Sequence, residues 1–240
     1  TGFKDIFKLE AGHYFTLINN KFTISKYWDI YPTEENITYQ HAFDELDSLL
    51  NDSIKLQMIS DVPVGALLSG GLDSSIISVL MQKNMSEPLN TFTIKFKKED
   101  LKRQGNVDDS YYARKLANQF GFNHHEITIE RDIVDLLPKM IWHLDEPIAD
   151  PAAINTYLIS EEAKRNGIKV LLSGMGADEF FSGYRSHLAC LKADQYQKVP
   201  LFMRKRLESV VKYIPESSKN RNFKYIRWAK QFLKVASLDQ

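Results

Sequence analysis

The stretch from Val64 to Asn84, V-G-A-L-L-S-G-G-L-D-S-S-I-I-S-V-L-M-Q-K-N, constrains this chain more than any other. The apolar run Val64 to Leu68, bounded by Pro63 and by glycines, reads as a strand buried on both faces of a parallel sheet. Ser69-Gly70-Gly71 then turns sharply, and Ile76, Ile77, Val79, Leu80 and Met81 supply the apolar side of a following helix. Strand, glycine turn and helix start together make an anion site. The glycines let backbone N–H groups approach a phosphate, Ser69, Ser74 and Ser75 carry further donors, and the helix dipole favours negative charge. Asp73 sits inside this anion-binding loop, and a carboxylate beside phosphates makes sense mainly with Mg²⁺ between them.

The loop lacks the G-K-[ST] ending of a Walker A motif, so no lysine reaches a terminal phosphate. Its S-G-G-x-D-S pattern resembles the pyrophosphate loop of the N-type ATP pyrophosphatases, which break ATP between its α and β phosphates.

A second apolar run, Ile168 to Leu172, also ends in Ser-Gly, at Ser173-Gly174. Two parallel strands leaving through Ser-Gly put both loops at the carboxyl edge of the sheet, where open α/β sheets bind ligands. Asp178 follows Ser173 by five residues, as Asp73 follows Ser69 by four, so two carboxylates converging there can hold one Mg²⁺. The phrase S-G-M-G-A-D-E-F-F-S-G-Y resembles the asparagine synthetase signature S-G-E-G-x-D-E-x-F-G-G-Y, with two departures. Met175 stands where that family usually has glutamate, and Ser182 where it has glycine.

This resemblance covers the chain to about Tyr184 and is loose beyond it. It implies a doubly wound parallel α/β sheet with helices on both faces, like the adenine nucleotide alpha hydrolases, and a C-terminal helical extension. It also implies ATP and Mg²⁺ as cofactors. The implied nucleotide contacts are Leu67, Ser69, Gly70, Gly71, Asp73, Ser74, Ser75, Ile94 and Gly174, with Asp73 and Asp178 on the metal. Asp73, Asp178 and Glu179 are the expected catalytic carboxylates. The implied chemistry is adenylation of a small-molecule carboxylate with release of pyrophosphate, followed by amidation with ammonia. A sugar uronate is a rival acceptor to aspartate. A tRNA-modifying enzyme with the same loop, and a non-catalytic nucleotide-binding module, are readings of other classes.

The remaining segments fit alternating α/β units. Residues 13–24 alternate around Asn19-Asn20 as a hairpin does, and an isolated hairpin needs something to lean on. The phrase L-E-A-G-H-Y-F…K-Y-W-D resembles the end of the glutaminase domain of asparagine synthetases, so residues 1–32 are expected to be its tail. Ammonia then comes from a glutaminase domain in a longer chain or from a partner. Residues 33–197 are the expected synthetase domain and 198–240 a basic extension. Within the synthetase domain, Thr38 caps a helix, and Asn90–Phe96 and His124–Ile129 are strands. Residues 97–109 read as a mobile loop, and helices cover Asp109–Phe120, Ile133–His143 and Ala152–Arg165. His124 and His125 point to opposite faces of their strand and cannot share a metal. The L-D-E-P-I-A-D-P phrase carries Asp145, Glu146 and Asp150, read either as helix-capping acids or, by the resemblance, as part of the cleft.

Hydrophobic residues at 43% suffice for a sizeable core. No run of eighteen apolar residues exists and the N-terminus lacks a signal-peptide pattern, so a cytoplasmic protein is expected. One cysteine, Cys190, excludes an internal disulfide and a C-x-x-C site. The net charge of zero hides an asymmetry, since Lys198 to Lys234 holds eleven Lys and Arg against two acids. That stretch reads as two amphipathic helices, Leu201–Tyr213 and Phe223–Leu238, with Tyr225, Trp228, Phe232, Val235 and Ala236 as a packing stripe. Attraction to the acidic remainder or to an anionic substrate accounts for the charge as well as nucleic acid would, and a nucleic-acid partner is not expected.

Overall fold

The alternating runs His13–Ile18 (β1) and Lys21–Lys26 (β2) pair antiparallel, with Phe15 opposite Ile24 and Leu17 opposite Phe22. Asn19 (φ 48°) and Asn20 (φ 60°) close the two-residue turn in the left-handed region that a tight hairpin requires. Gly12 (φ 67°) ends the ribbon: its carbonyl accepts the Tyr27 and Trp28 N–H groups, and a Cβ there would meet the Trp28 carbonyl oxygen. Phe15 and Phe22 pack ring on ring at 5.2 Å, yet Leu17, Ile18 and Trp28 remain exposed.

The computed structural model describes residues 2–31, 36–97, 108–129, 133–148, 150, 152–213, 230, 232, 233 and 236. Residues 98–107 of the expected loop and most of the Phe223–Leu238 helix lie outside these residues. Of the aromatic stripe, Phe232 and Ala236 are described. Ala236 is buried and Phe232 meets the Tyr196 ring edge-on, so these two pack rather than offer a stacking platform.

Four strands form the central sheet: Val64–Leu67 (β3), Asn90–Lys95 (β4), Asn123–Thr128 (β5) and Val170–Leu172 (β6). All neighbours are parallel, in the order β5-β4-β3-β6. The chain therefore winds outward from β3 through β4 to β5, then returns to β3's other side as β6. The strand order reverses between β3 and β6.

Helices cover both faces, as expected of a doubly wound sheet. On one face Ala66, Leu68 and Leu172 pack with Ile54 of α1 (Tyr39–Gln57), Leu80 and Met81 of α2 (Leu72–Lys83), and Ala113 and Ala117 of α3 (Asp109–Phe120). On the other, Phe92 and Ile168 pack with Ile159 and Ala163 of α5 (Ala152–Arg165). Leu136 and Met140 of α4 (Ile133–Leu144) join Ile154 and Leu158 of α5 in a third cluster. Local signals set the helix ends. Thr38 Oγ1 accepts the His41 N–H at 3.2 Å, Asp150 Oδ1 accepts the Ala152 N–H at 2.9 Å, and Gly121 stops α3 at φ 71°.

The chain divides into two compact units, residues 1–174 and 175–240. The first holds the hairpin and the sheet. The second holds α6 (Ala177–Phe180), α7 (Arg185–Gln197) and α8 (Leu201–Tyr213). Helix α7 was not anticipated: Tyr184 provides no side-chain cap, and only Leu188 and Leu191 mark its apolar side. No helix among the described residues is long and apolar enough to cross a membrane.

The paired histidines lie on opposite faces of β5, as their adjacency requires. His125 stacks on Phe92 at 4.7 Å, whereas His124 Nδ1 lies 2.8 Å from the buried Thr91 hydroxyl. His124 Nε2 is buried with no partner among the described residues. Burial holds the His124 imidazole below its ordinary pKa, the nearby Glu126 charge opposing and His125 and Arg114 reinforcing. Because the folded-state pKa lies below the unfolded one, this histidine leaves stability unchanged above about pH 6.5 and lowers it as the pH falls below that value. Unfolding free energies from urea titrations between pH 8 and pH 5 are expected to fall by up to about 1.4 kcal/mol per pH unit relative to His124→Gln. Parallel pH profiles for the two proteins would remove His124 as the cause.

Candidate active site

The turn after β3 is braced by its own hydroxyls. The Leu68 N–H still bonds the Phe92 carbonyl at 2.9 Å, and Ser69 is the first residue beyond that ladder. Gly70 then takes φ 81° and Gly71 an extended conformation as the N-cap of α2. Ser69 Oγ accepts the Gly71 N–H at 3.2 Å and lies 2.9 Å from Ser74 Oγ, which also accepts the Ser69 N–H at 3.2 Å. Ser75 Oγ donates to the Gly71 carbonyl at 2.6 Å. Ser74 is buried and Ser69 is exposed, so Ser74 shapes the loop while Ser69 faces outward. The first N–H groups of α2 have no intrahelical acceptor, as at any helix start. Asp73 stands among them, half-buried, with no hydrogen bond or ion pair among the described residues.

Two glycines let other elements close on this turn. A Cβ on Gly70 would fall 2.3 Å from the Asp109 carbonyl oxygen and 3.0 Å from the Ala113 nitrogen, so the turn is pressed onto the start of α3. A Cβ on Gly174 would fall 2.7 Å from the Ser74 nitrogen and 2.9 Å from the Asp73 carbonyl carbon. The second Ser-Gly exit thus touches the first turn of α2, because β3 and β6 are neighbours. Gly71 is different, since its nearest neighbour is the Ser69 hydroxyl at 3.3 Å.

A cavity of about 450 Å³ opens at the carboxyl ends of β3 and β4. Leu67, Ser69 and Ile94 line it, three of the residues singled out in the sequence. Phe96, Asp108, Ser110 and Asn155 line it too and were not singled out. Only Asn155 left a signal: it is the polar member of the 155/159/163 stripe on α5. A second cavity, of about 350 Å³, is bordered by Glu126, Glu161, Glu162 and Arg165. Its acids are already paired, Glu126 with Lys95 and Arg114, and Glu161 and Glu162 with Arg165.

Glu146 of the D-E-P phrase pairs with Lys8, and Asp145 takes φ 60°. Asp178 and Glu179 belong to the second unit, in α6. A Cβ on Gly183 would land 1.8 Å from Asp178 Oδ1 and 2.8 Å from its Cγ, so one carboxylate oxygen points at Gly183, whose N–H bonds the Asp178 carbonyl at 3.0 Å. Ser182 holds φ 59°, the left-handed conformation that a glycine adopts without strain. Glu179 accepts the Tyr184 hydroxyl at 2.9 Å, and that bond, with burial and the Glu179 and Asp178 charges, raises the phenol above its ordinary pKa. Among the described residues no three His, Cys, Asp or Glu side chains form a metal-ligand cluster.

A doubly wound sheet with a hydroxyl-braced glycine turn where its strand order reverses defines a class of α/β protein that takes its ligand at that edge. The chain belongs to the asparagine synthase family, whose model matches residues 45–238. It is 33% identical to asparagine synthetase [glutamine-hydrolyzing] 1 of Bacillus subtilis over 217 residues, which is 90% of this chain and 33% of that protein. It is 35% identical to asparagine synthetase B of Escherichia coli over 176 residues, 66% of this chain and 29% of that one. The chain spans about a third of the length of the curated relatives it matches. Among solved structures, an NH3-dependent NAD synthetase from Campylobacter jejuni is similar over 85% of this chain and 98% of that one, at 12% identity and a TM-score of 0.38.

The glycine contacts separate positions that look alike in sequence. Gly174→Ala and Gly70→Ala are each expected to lose about 1–3 kcal/mol, because backbone must move to admit the methyl group. Gly71→Ala is expected to lose less than about 1 kcal/mol, because only a serine rotamer must give way. Urea unfolding of the three variants tests this; equal losses at Gly71 and Gly174 would refute the close approach.

Proposed function

We propose that this chain carries the synthetase half of an ATP-dependent amide-forming ligase of the asparagine synthetase type. The observation that supports it best is the contact of Gly174 with Asp73 and Ser74. It sets the second Ser-Gly turn against the first turn of α2, close in the chain to Ser69 on the 450 Å³ cavity, and the Asp73 carboxylate at that contact is unpaired among the described residues. In this reading a carboxylate oxygen of the acceptor attacks the α-phosphorus of ATP, the bond to the bridging oxygen breaks, and pyrophosphate leaves. Ammonia then attacks the acyl carbon and AMP departs. Leu67, Ser69, Gly70, Gly71, Ser74, Ser75, Ile94 and Gly174 serve the nucleotide by contact or by holding the loop. Asp73 and Asp178 fit Mg²⁺, being carboxylates without hydrogen-bonded partners among the described residues. Mg²⁺ when bound neutralises phosphate charge; the chain's own part is positioning. In this reading residues 1–32 are the tail of a glutaminase-type domain, 33–197 the synthetase domain and 198–240 its helical extension. Ammonia comes from that glutaminase domain or from a partner.

Turnover is expected to give AMP and pyrophosphate in equal amounts; ADP and phosphate would sink the assignment. Asp73→Asn and Asp178→Asn are expected to lose about 10²-fold in kcat or more at an unchanged melting temperature. Near-normal turnover in either variant would exclude that residue as a metal ligand.

The acceptor is read from Met175. The resemblance places Met175 where asparagine synthetases have a glutamate, and it implies that this glutamate assists the attack of ammonia there. A thioether has no titratable proton. Met175 is 85% exposed and Glu179, the nearest acid in sequence, is held by Tyr184. A carboxylate bulkier than aspartate, such as a sugar uronate, fits a large apolar tip better than a small doubly charged amino acid does. The protein in its longer form is expected to show higher kcat/KM for such an acid than for aspartate, and Met175→Glu to narrow the gap. Efficient asparagine formation by the unmodified protein would refute this choice of acceptor.

A further inference from the structure

The 450 Å³ cavity is apolar where the sheet and α5 supply its wall. Leu67, Phe92 and Ile94 come from β3 and β4, and Ile159 from the facing helix. On α5 the residues Asn155, Ile159 and Ala163 recur every four positions and so share one side of the helix. Ile159 and Ala163 are buried against Phe92 and Ile168. Asn155 is the member one turn nearer the helix start, half-buried in the cavity wall. An apolar side chain there would extend the packing already made by the two residues below it. The carboxamide instead makes no side-chain hydrogen bond to the protein among the described residues. It is therefore a donor and an acceptor side by side, held against the apolar wall of a cavity whose other polar lining is Ser69, Thr93, Asp108, Asp109 and Ser110.

We propose that Asn155 reads the base edge of the nucleotide that enters this cavity. The proposal rests on the adenylation reading above and adds to it a residue that selects the base. A flat aromatic base suits the apolar wall of Phe92, Ile94 and Ile159, and its polar edge must find partners or lose hydrogen bonds to water. An asparagine amide matches adenine's 6-amino donor and the adjacent ring-nitrogen acceptor in a two-bond pair, with the amide oxygen accepting and the amide nitrogen donating. The hydroxyl side of the cavity, at Ser69, leads toward the Gly70-Gly71 turn, so a base beside Asn155 would direct its phosphates to the glycine turn.

The test compares ATP with purine riboside triphosphate, which lacks only the 6-amino group, by titration calorimetry on the full chain and on Asn155→Leu. The unmodified protein is expected to bind ATP about tenfold more tightly than the analogue. In Asn155→Leu the ratio is expected to collapse toward one, through weaker ATP binding, with the melting temperature retained. Asn155→Ser, which leaves the stripe unfilled, should show the same collapse should the leucine variant fold poorly. An ATP preference that survives in these variants, or its absence from the unmodified protein, overturns the assignment of Asn155 and leaves the adenylation reading standing. Binding of neither nucleotide to the unmodified protein overturns both.

Discussion

The parallel pairing of β3 with β6 is the constraint from which the rest of the site follows. Val64, Gly65 and Ala66 lie in register with Val170, Leu171 and Leu172, so β6 ends beside Ala66 while β3 runs on through Leu67 and Leu68. Each then turns through Ser-Gly, with no room for a methyl group between Gly174 and the start of α2. Close approach extends into the strands, since a Cβ on Gly65 would fall 2.8 Å from the Asn90 carbonyl oxygen and 3.1 Å from Leu171. Backbone-to-backbone packing of this kind transmits position without intervening rotamers. A loop that must present N–H groups to an anion benefits from that stiffness.

The serine cluster serves the same end by another route. A turn at the edge of a sheet has backbone groups that the ladder cannot satisfy. Here Ser69, Ser74 and Ser75 satisfy several of them within seven residues of chain. Ser78 continues the pattern one turn later by bonding the Ser74 carbonyl at 2.8 Å. Hydroxyls that look in sequence like ligands for phosphate are partly committed to the fold. The same residues therefore hold the loop's shape and lie where an anion would bind. Asp73, which braces nothing among the described residues, is chemically the more available group.

Gly183 has a comparable role in the second unit, where the Asp178 carboxylate rests on its bare Cα. Ser182 beside it keeps the left-handed backbone at a cost of about 1–2 kcal/mol relative to glycine. Tyr184 and Glu179 form a pair whose phenol stays protonated to higher pH than usual. The signature's residues are thus explained partly by packing and partly by hydrogen bonding, independently of any ligand.

The sequence by itself determined the elements, because their causes are local. Alternation marked β1, β2 and β4, apolar runs marked β3 and β6, and Gly121 and Gly167 marked where α3 and α5 stop. It also marked the anion-binding turn and placed both Ser-Gly exits at one sheet edge, since parallel strands all end there. It could not mark α7, whose apolar side is thin and whose N-cap lacks a capping side chain. Tertiary structure alone decided that β6 returns beside β3, because strand order is a pairing choice between distant segments. That choice made Gly174 a contact of Asp73 and Ser74 and set Asn155, eighty-six residues from Ser69 in the chain, on the wall of the same cavity. Local pattern records what each residue prefers; only packing between distant segments determines which residues meet.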